Sequence, residues 1–227
     1  MTCDSFEWSV ELPEKGTQTS WGSRPKARVV FGSDGASEHW SVPVSVGRKL
    51  KSARDKSGFD PSCRSELACK VKELSLSCGT RRIESLLNKR DYSSKELFDK
   101  LRRDGYSEEA SNELVARAVN SNLVNDERFA SVYVRSKCFA GWGRRKIERE
   151  LSHKGVDFEK LPGWPEEYFE DDDEAERALD LARRRRLTGK NDFQKIVRFL
   201  CSKGYAMNVA FDAARTVVDE SGEVKAV

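Results

Sequence analysis

Histidine is nearly absent from this chain: His39 and His153 are the two among 227 residues. They stand 114 positions apart, so they form no local pair for acid–base work or metal binding. Cysteine is present at 3, 63, 69, 78, 138 and 201, but never as Cys-x-x-Cys, and a zinc site needs such closely paired ligands. Free thiols in a reducing compartment are the expected state. Gly-x-Ser-x-Gly, a Walker loop and a dinucleotide fingerprint are all missing. No apolar run approaches the roughly 20 residues of a membrane span. Met1 to Val10 has neither a basic flank nor an apolar core, which argues against a secretory signal. These absences predict a cytoplasmic non-enzyme with no cofactor, no metal and no membrane contact.

Hydrophobic residues are also sparse, at 37% against about 45–50% in an ordinary globular domain, whereas charged residues reach 35%. Such a composition disfavours one thick core and favours thin helical architecture with much of its side-chain surface in water. The formal net charge of +3 hides blocks of both signs. Eight acids and one base occupy Glu159 to Glu174, and four arginines run from Arg183 to Arg186.

The first 64 residues hold four of the six prolines and three of the five tryptophans, with scattered apolar positions. Only Trp40 to Val46 alternates like a strand, and Pro43 limits it to an edge. Residues 1–64 therefore read as a weakly ordered extension, with a hairpin at most, that packs little against the rest. Residues 65–79 read as a helical lead-in.

Beyond them the pattern is helical and repeats. Leu97-Leu101-Gly105-Tyr106 recurs as Ile147-Leu151-Gly155-Val156 and as Ile196-Leu200-Gly204-Tyr205, offset by 50 and then 49 residues. Aliphatics four apart share a helix face. The glycine fits the left-handed residue after a helix, and the next apolar residue folds back on the Leu in a Schellman turn. Gly105, Gly155 and Gly204 are thus predicted helix C-caps. Each capped helix is the middle of three, opened by Ser93-x-x-Glu96 in the first copy and by Asn191 in the third. The predicted fold is all-α: three tandem three-helix repeats at 80–122, 123–172 and 173–220 in an elongated curved array, with a short tail at 221–227. Leu161-Pro162-Gly163-Trp164-Pro165 must break or delay the last helix of the middle repeat.

Two basic clusters are candidate binding surfaces. Arg144 and Arg145 open the middle helix of the second repeat, where cations oppose the helix dipole, and Arg149 lies one turn beyond Arg145. Arg183, Arg184, Arg185 and Arg186 close the first helix of the third repeat. Such a stripe suits phosphates or an acidic protein groove. Asp171-Asp172-Asp173-Glu174 has the carboxylates to hold Mg²⁺, but its position at a helix start fits the dipole instead.

Several motifs together resemble the bacterial RecX family. They are Leu123-Val124-Asn125-Asp126-Glu127-Arg128-Phe129-Ala130, then Tyr133-Val134-Arg135-Ser136, then Gly141-Trp142-Gly143-Arg144-Arg145-Lys146-Ile147 with Glu150-Leu151 and Lys154-Gly155-Val156. Ser94-x-Glu96-Leu97, Lys100-Leu101 and Phe199-Leu200 with Gly204-Tyr205 also match. The resemblance covers residues 80–220. It implies a regulator that binds the RecA recombinase filament, limits its strand exchange and coprotease activities, and tunes recombinational repair and the SOS response; a monomer is the expected state of the chain. The family has no catalytic residues to transfer. Alternatives of another class are a module that binds single- or double-stranded DNA without RecA, for which Trp142 beside Arg144 is the relevant pairing, and a helical scaffold for another protein.

Overall fold

A computed structural model describes residues 6–14, 16, 24–33, 36–169 and 171–223. It divides into two compact units, residues 1–125 and 126–227.

The first unit begins with strands, not irregular chain. β1 (Glu7–Glu11), β2 (Lys26–Ser33) and β3 (Ala36–Pro43) form an antiparallel sheet in the order β1-β2-β3. In β2 every second residue faces inward: Ala27, Val29 and Phe31 are buried, while Arg28 faces water. Trp8 of β1 and Val42 of β3 join them. The expected strand at Trp40 to Val46 ends early. Pro43 is the N-cap of α1 (Val44–Ser57), where a fixed φ of −56° suits a helix start, and Val46 is buried from that helix.

α2 (Arg64–Leu87), α3 (Ser94–Asp104) and α4 (Glu108–Asn120) complete the unit. α2 runs through residues 79–80 without a break. Gly79 is tolerated mid-helix because α4 packs there: a Cβ would collide with the Leu114 side chain. Ser93 and Glu96 form a reciprocal capping box on α3, and the Ser107 hydroxyl accepts from the Ala110 N–H on α4. Sheet and helices share one core, which runs from Trp8, Val29 and Phe31 through Leu50 and Leu67 to Leu97, Leu101 and Leu114. The expectation of an N-terminal segment packing little against the repeat is thereby corrected.

The second unit is wholly helical among its described residues. α5 (Asp126–Phe139) and α6 (Arg144–His153) are followed by a 3₁₀ turn, Phe158–Lys160. Among the described residues no further α-helix forms before α7, which begins at Asp171. Residues 161–169 instead bury Leu161 and Phe169, and Trp164 packs against Phe158, Tyr168 and Phe169. α7 (Asp171–Arg183), α8 (Asp192–Lys203) and α9 (Met207–Glu223) form the third repeat. Its core is built on Ala178, Ala182, Ile196, Leu200, Ala210 and Ala214. These small alanines let α7 and α9 approach closely.

Candidate regulatory surface

The glycine turns organise the helical repeats. Gly105, Gly155 and Gly204 have φ of 102°, 73° and 96°. At each, the N–H after the glycine reaches back to the Leu carbonyl: Tyr106 to Leu101 at 3.1 Å, Val156 to Leu151 at 3.0 Å, Tyr205 to Leu200 at 3.2 Å. The glycine N–H bonds one residue further on, to Arg102, Ser152 and Cys201. This is the double hydrogen bond of a Schellman turn, and all six apolar partners are buried.

The turns differ in what covers them. A Cβ on Gly105 would meet the Lys26 aliphatic chain at 3.2 Å. A Cβ on Gly204 would strike Lys146 of α6, including its backbone. The contact is mutual, since a Cβ on Gly143 would lie 2.5 Å from the Gly204 carbonyl carbon and the Tyr205 nitrogen. Gly143 N–H donates to the Lys203 carbonyl at 2.9 Å, and Lys146 Nζ donates to the Ser202 carbonyl at 3.3 Å. Backbone therefore abuts backbone where α6 begins and α8 ends. The junction bounds a cleft of about 340 Å³ lined by Arg145, Lys146, Arg149, Ser202, Tyr205 and Met207.

The three α6 arginines part company here. The Arg144 N–H donates to Glu174 Oε1 at 3.1 Å, its Nε donates to Glu148 Oε1 at 2.7 Å, and its guanidinium lies 5.9 Å from the Trp164 ring. Arg144 thus helps to hold the repeat together. The Glu174 carboxylate also corrects the idea that the basic start of α6 is uncompensated, because it supplies the negative charge that the dipole favours. Arg145 and Arg149 are exposed at the cleft rim, and no described residue offers either an acidic partner.

The second cluster divides likewise. Arg183 forms a two-point ion pair with Glu220, Nη2–Oε1 at 2.6 Å and Nε–Oε2 at 3.2 Å, which raises the arginine pKa and lowers the glutamate's. Arg185 lies 4.5 Å over the Phe199 ring. Arg184 and Arg186 are exposed with no acidic partner among the described residues.

Asn191 does not cap α8 with its side chain; it sits at φ 53°. The Asp192 carboxylate instead accepts from the Thr188 N–H at 2.9 Å and from the Gly189 N–H, and these bonds, with Lys195 nearby, pull its pKa down to about 2. The backbone of Asp171, Asp172 and Asp173 opens α7, and their side chains lie outside the described residues. Among the described residues no group of three or more metal-ligating side chains comes together, and no helix is long and apolar enough to cross a membrane.

Trp142 is half-buried, with Lys137 Nζ 4.8 Å and Lys146 Nζ 4.3 Å from its ring. Sequence reasoning missed the Glu174 cap and the Gly143–Gly204 contact. Both join residues 30 or more positions apart that carry no shared motif.

Tandem helical repeats, each with a helix closed by the same glycine turn, define a helical-repeat protein whose first unit also carries a small sheet. The chain belongs to the RecX family. Its residues 84–117 match the model of the first RecX three-helix domain, and residues 125–159 match the second. Regulatory protein RecX of Amycolatopsis mediterranei is 31% identical over 143 residues, spanning 60% of this chain and 81% of the relative. That of Streptomyces lividans is 35% identical over 135 residues, or 57% and 71%. For Caldanaerobacter subterraneus the match is 31% over 120 residues, and the chain spans only 60% of that relative. The crystal structure of RecX from Lactobacillus salivarius is similar with TM-score 0.51 at 24% identity, covering 63% of this chain and 96% of that one. A second crystal structure of regulatory protein RecX has TM-score 0.54 at 18% identity, covering 93% and 97%. At these identities the likeness concerns the fold.

Proposed function

We propose that this chain is a non-catalytic, cytoplasmic regulator that binds the RecA recombinase filament on DNA, restrains strand exchange and coprotease activity, and so tunes recombinational repair and the SOS response. Membership of a family of regulatory proteins supports a regulator. The observation that carries a charged partner is the cleft between α6 and the α8–α9 turn. Its rim presents Arg145 and Arg149 without acidic partners among the described residues, beside a junction where backbone meets backbone. Arg184 and Arg186 add exposed positive charge without acidic partners among the described residues of the same unit. Several modest contacts of this kind reach useful affinity when engaged together.

The reading in which the chain acts on DNA alone, without RecA, has less support at Trp142. Base stacking needs a free ring face, and two lysines already attend this indole. Binding assays against bare DNA, RecA alone and the RecA–DNA filament test the proposal. Preference for the filament upholds it; equal binding to bare DNA and filament overturns it.

A further inference from the structure

The sheet-bearing unit holds a second concentration of positive charge, with four of its five cations ahead of residue 84, where the match to the first RecX domain model begins. A cleft of about 780 Å³ lies where the start of α1, the C-terminal half of α2 and the end of α3 meet Pro13, Glu14, Gly16, Arg24 and Pro25. Five cations line it, Arg24, Arg48, Arg81, Arg82 and Lys89, against two carboxylates, Glu14 and Asp104. Asp104 is buried and already engaged: its carboxylate meets Arg82 Nε at 2.6 Å and Arg24 Nε at 3.6 Å. One negative charge thus faces two guanidiniums at the cleft floor. Arg48, Arg81 and Lys89 are exposed around the mouth, and no described acidic residue pairs with them.

We infer that this cleft binds the phosphate backbone of a nucleic acid strand directly, without RecA. Like charges gathered in a concavity focus their field outward and attract a polyanion more strongly than the same charges spread over a convex face. Arg81 and Ser85 lie one turn apart on α2, about 6 Å along the helix, and Lys89 follows in the turn just after it, so three polar groups line the cleft in sequence. Such a row suits an extended chain of phosphates better than a single small anion. The start of α1 adds to the same field. Val44 and Ser45 line the cleft, the Pro43 cap supplies no side-chain bond, and the first turn carries no acid. The contacts are to phosphate, so the site has no base preference.

The test uses the full chain, a labelled single-stranded oligonucleotide and no RecA, with fluorescence anisotropy over a series of salt concentrations. The wild type is expected to bind with an affinity that falls steeply as salt rises. The triple variant Arg48→Glu/Arg81→Glu/Lys89→Glu is expected to bind at least tenfold more weakly. Its salt slope should be lower by about 2, since each phosphate contact to a single strand contributes roughly 0.7. Arg48→Lys/Arg81→Lys/Lys89→Arg keeps the charges and should restore both affinity and slope. Single Arg81→Glu, read with a melting curve, separates lost contact from lost fold. Arg145→Glu/Arg149→Glu should leave oligonucleotide binding intact, so the filament reading and this one fail independently. Unchanged affinity and slope in the triple variant overturn the site. So does binding of inorganic pyrophosphate by a wild type with no affinity for the oligonucleotide.

Discussion

The Gly105 and Gly204 turns obey one sequence rule and close helices of the same kind, yet they occupy different surroundings. Gly105 lies beneath the flexible Lys26 side chain of β2, whereas Gly204 is pressed against the backbone of α6. The difference follows from how each unit completes its core. In the first unit the sheet covers the repeat and one continuous core spans both. In the second unit the repeats supply smaller separate cores, and backbone contact helps to join them. A shared turn motif therefore sets local geometry but not the cost of altering it.

The strongest way to break this comparison is to remove the sheet. Deleting residues 1–64 takes away Trp8, Ala27, Val29, Phe31, Val42, Val46 and Leu50, all buried in the core that α2, α3 and α4 share. Each large side chain contributes about 1.5–3 kcal/mol when buried, so the first unit should lose its cooperative transition. The second unit, with its own cores, should keep its melting and helical signal. Retained melting of α3 and α4 in the truncated protein would show that the sheet is an ornament on a self-sufficient repeat.

The next effect compares the two glycines directly. Gly204→Ala meets the left-handed strain of roughly 1–2 kcal/mol and also the α6 backbone, so it should destabilise by several kcal/mol in chemical denaturation. Gly105→Ala meets the same strain but only a lysine chain that can move, so its loss should stay near 1–2 kcal/mol. Equal losses would mean that α6 retreats without cost and that the Gly143–Gly204 junction is loose.

These glycines also mark how far the sequence can be read. A Schellman turn lies within ten residues, and its apolar, glycine and apolar positions can be counted along the chain. The capping box of Ser93 and Glu96 is legible for the same reason. The sheet is not, because strand pairing is long-range. Lys26–Ser33 hides its Ala27-Val29-Phe31 alternation behind the outward Val30. Charge misleads in a similar way. Arg144 and Arg145 are indistinguishable as neighbours in a basic run, and they separate only when folding brings Glu174 to the start of α6. The same holds for Arg183, tied by Glu220 from 37 positions away.

That separation gives the third expectation, one of binding and not of stability. Arg145→Glu/Arg149→Glu should leave melting within about 0.5 kcal/mol of the wild type, as surface changes usually do. Filament inhibition should weaken by about thirtyfold if each lost contact is worth roughly 1 kcal/mol. Added salt should weaken the wild type more than the variant. Arg144→Glu should do the reverse, lowering stability by placing an acid against Glu148 and Glu174. Inhibition unchanged in the double variant would move the partner surface off this cleft.

The smallest effect is confined to the segment that opens α8. Asp192 has its pKa lowered to about 2 by the Thr188 and Gly189 donors. A carboxylate depressed in the folded state contributes stability above its unfolded value of about 3.9, and that contribution fades as pH falls toward the folded value. The turn at 188–191 should therefore hold at neutral pH and loosen only between about pH 4 and pH 2, with little change in global melting because the carboxylate is near the surface. The amide NMR shifts of Thr188 and Gly189 read this directly: both should titrate together near pH 2, and in Asp192→Asn neither should titrate in that window. Midpoints near 4 in the wild type would mean that water, and not these two N–H groups, solvates the carboxylate. The start of α8 would then lack the side-chain anchor that Asn191, held at φ 53°, does not provide.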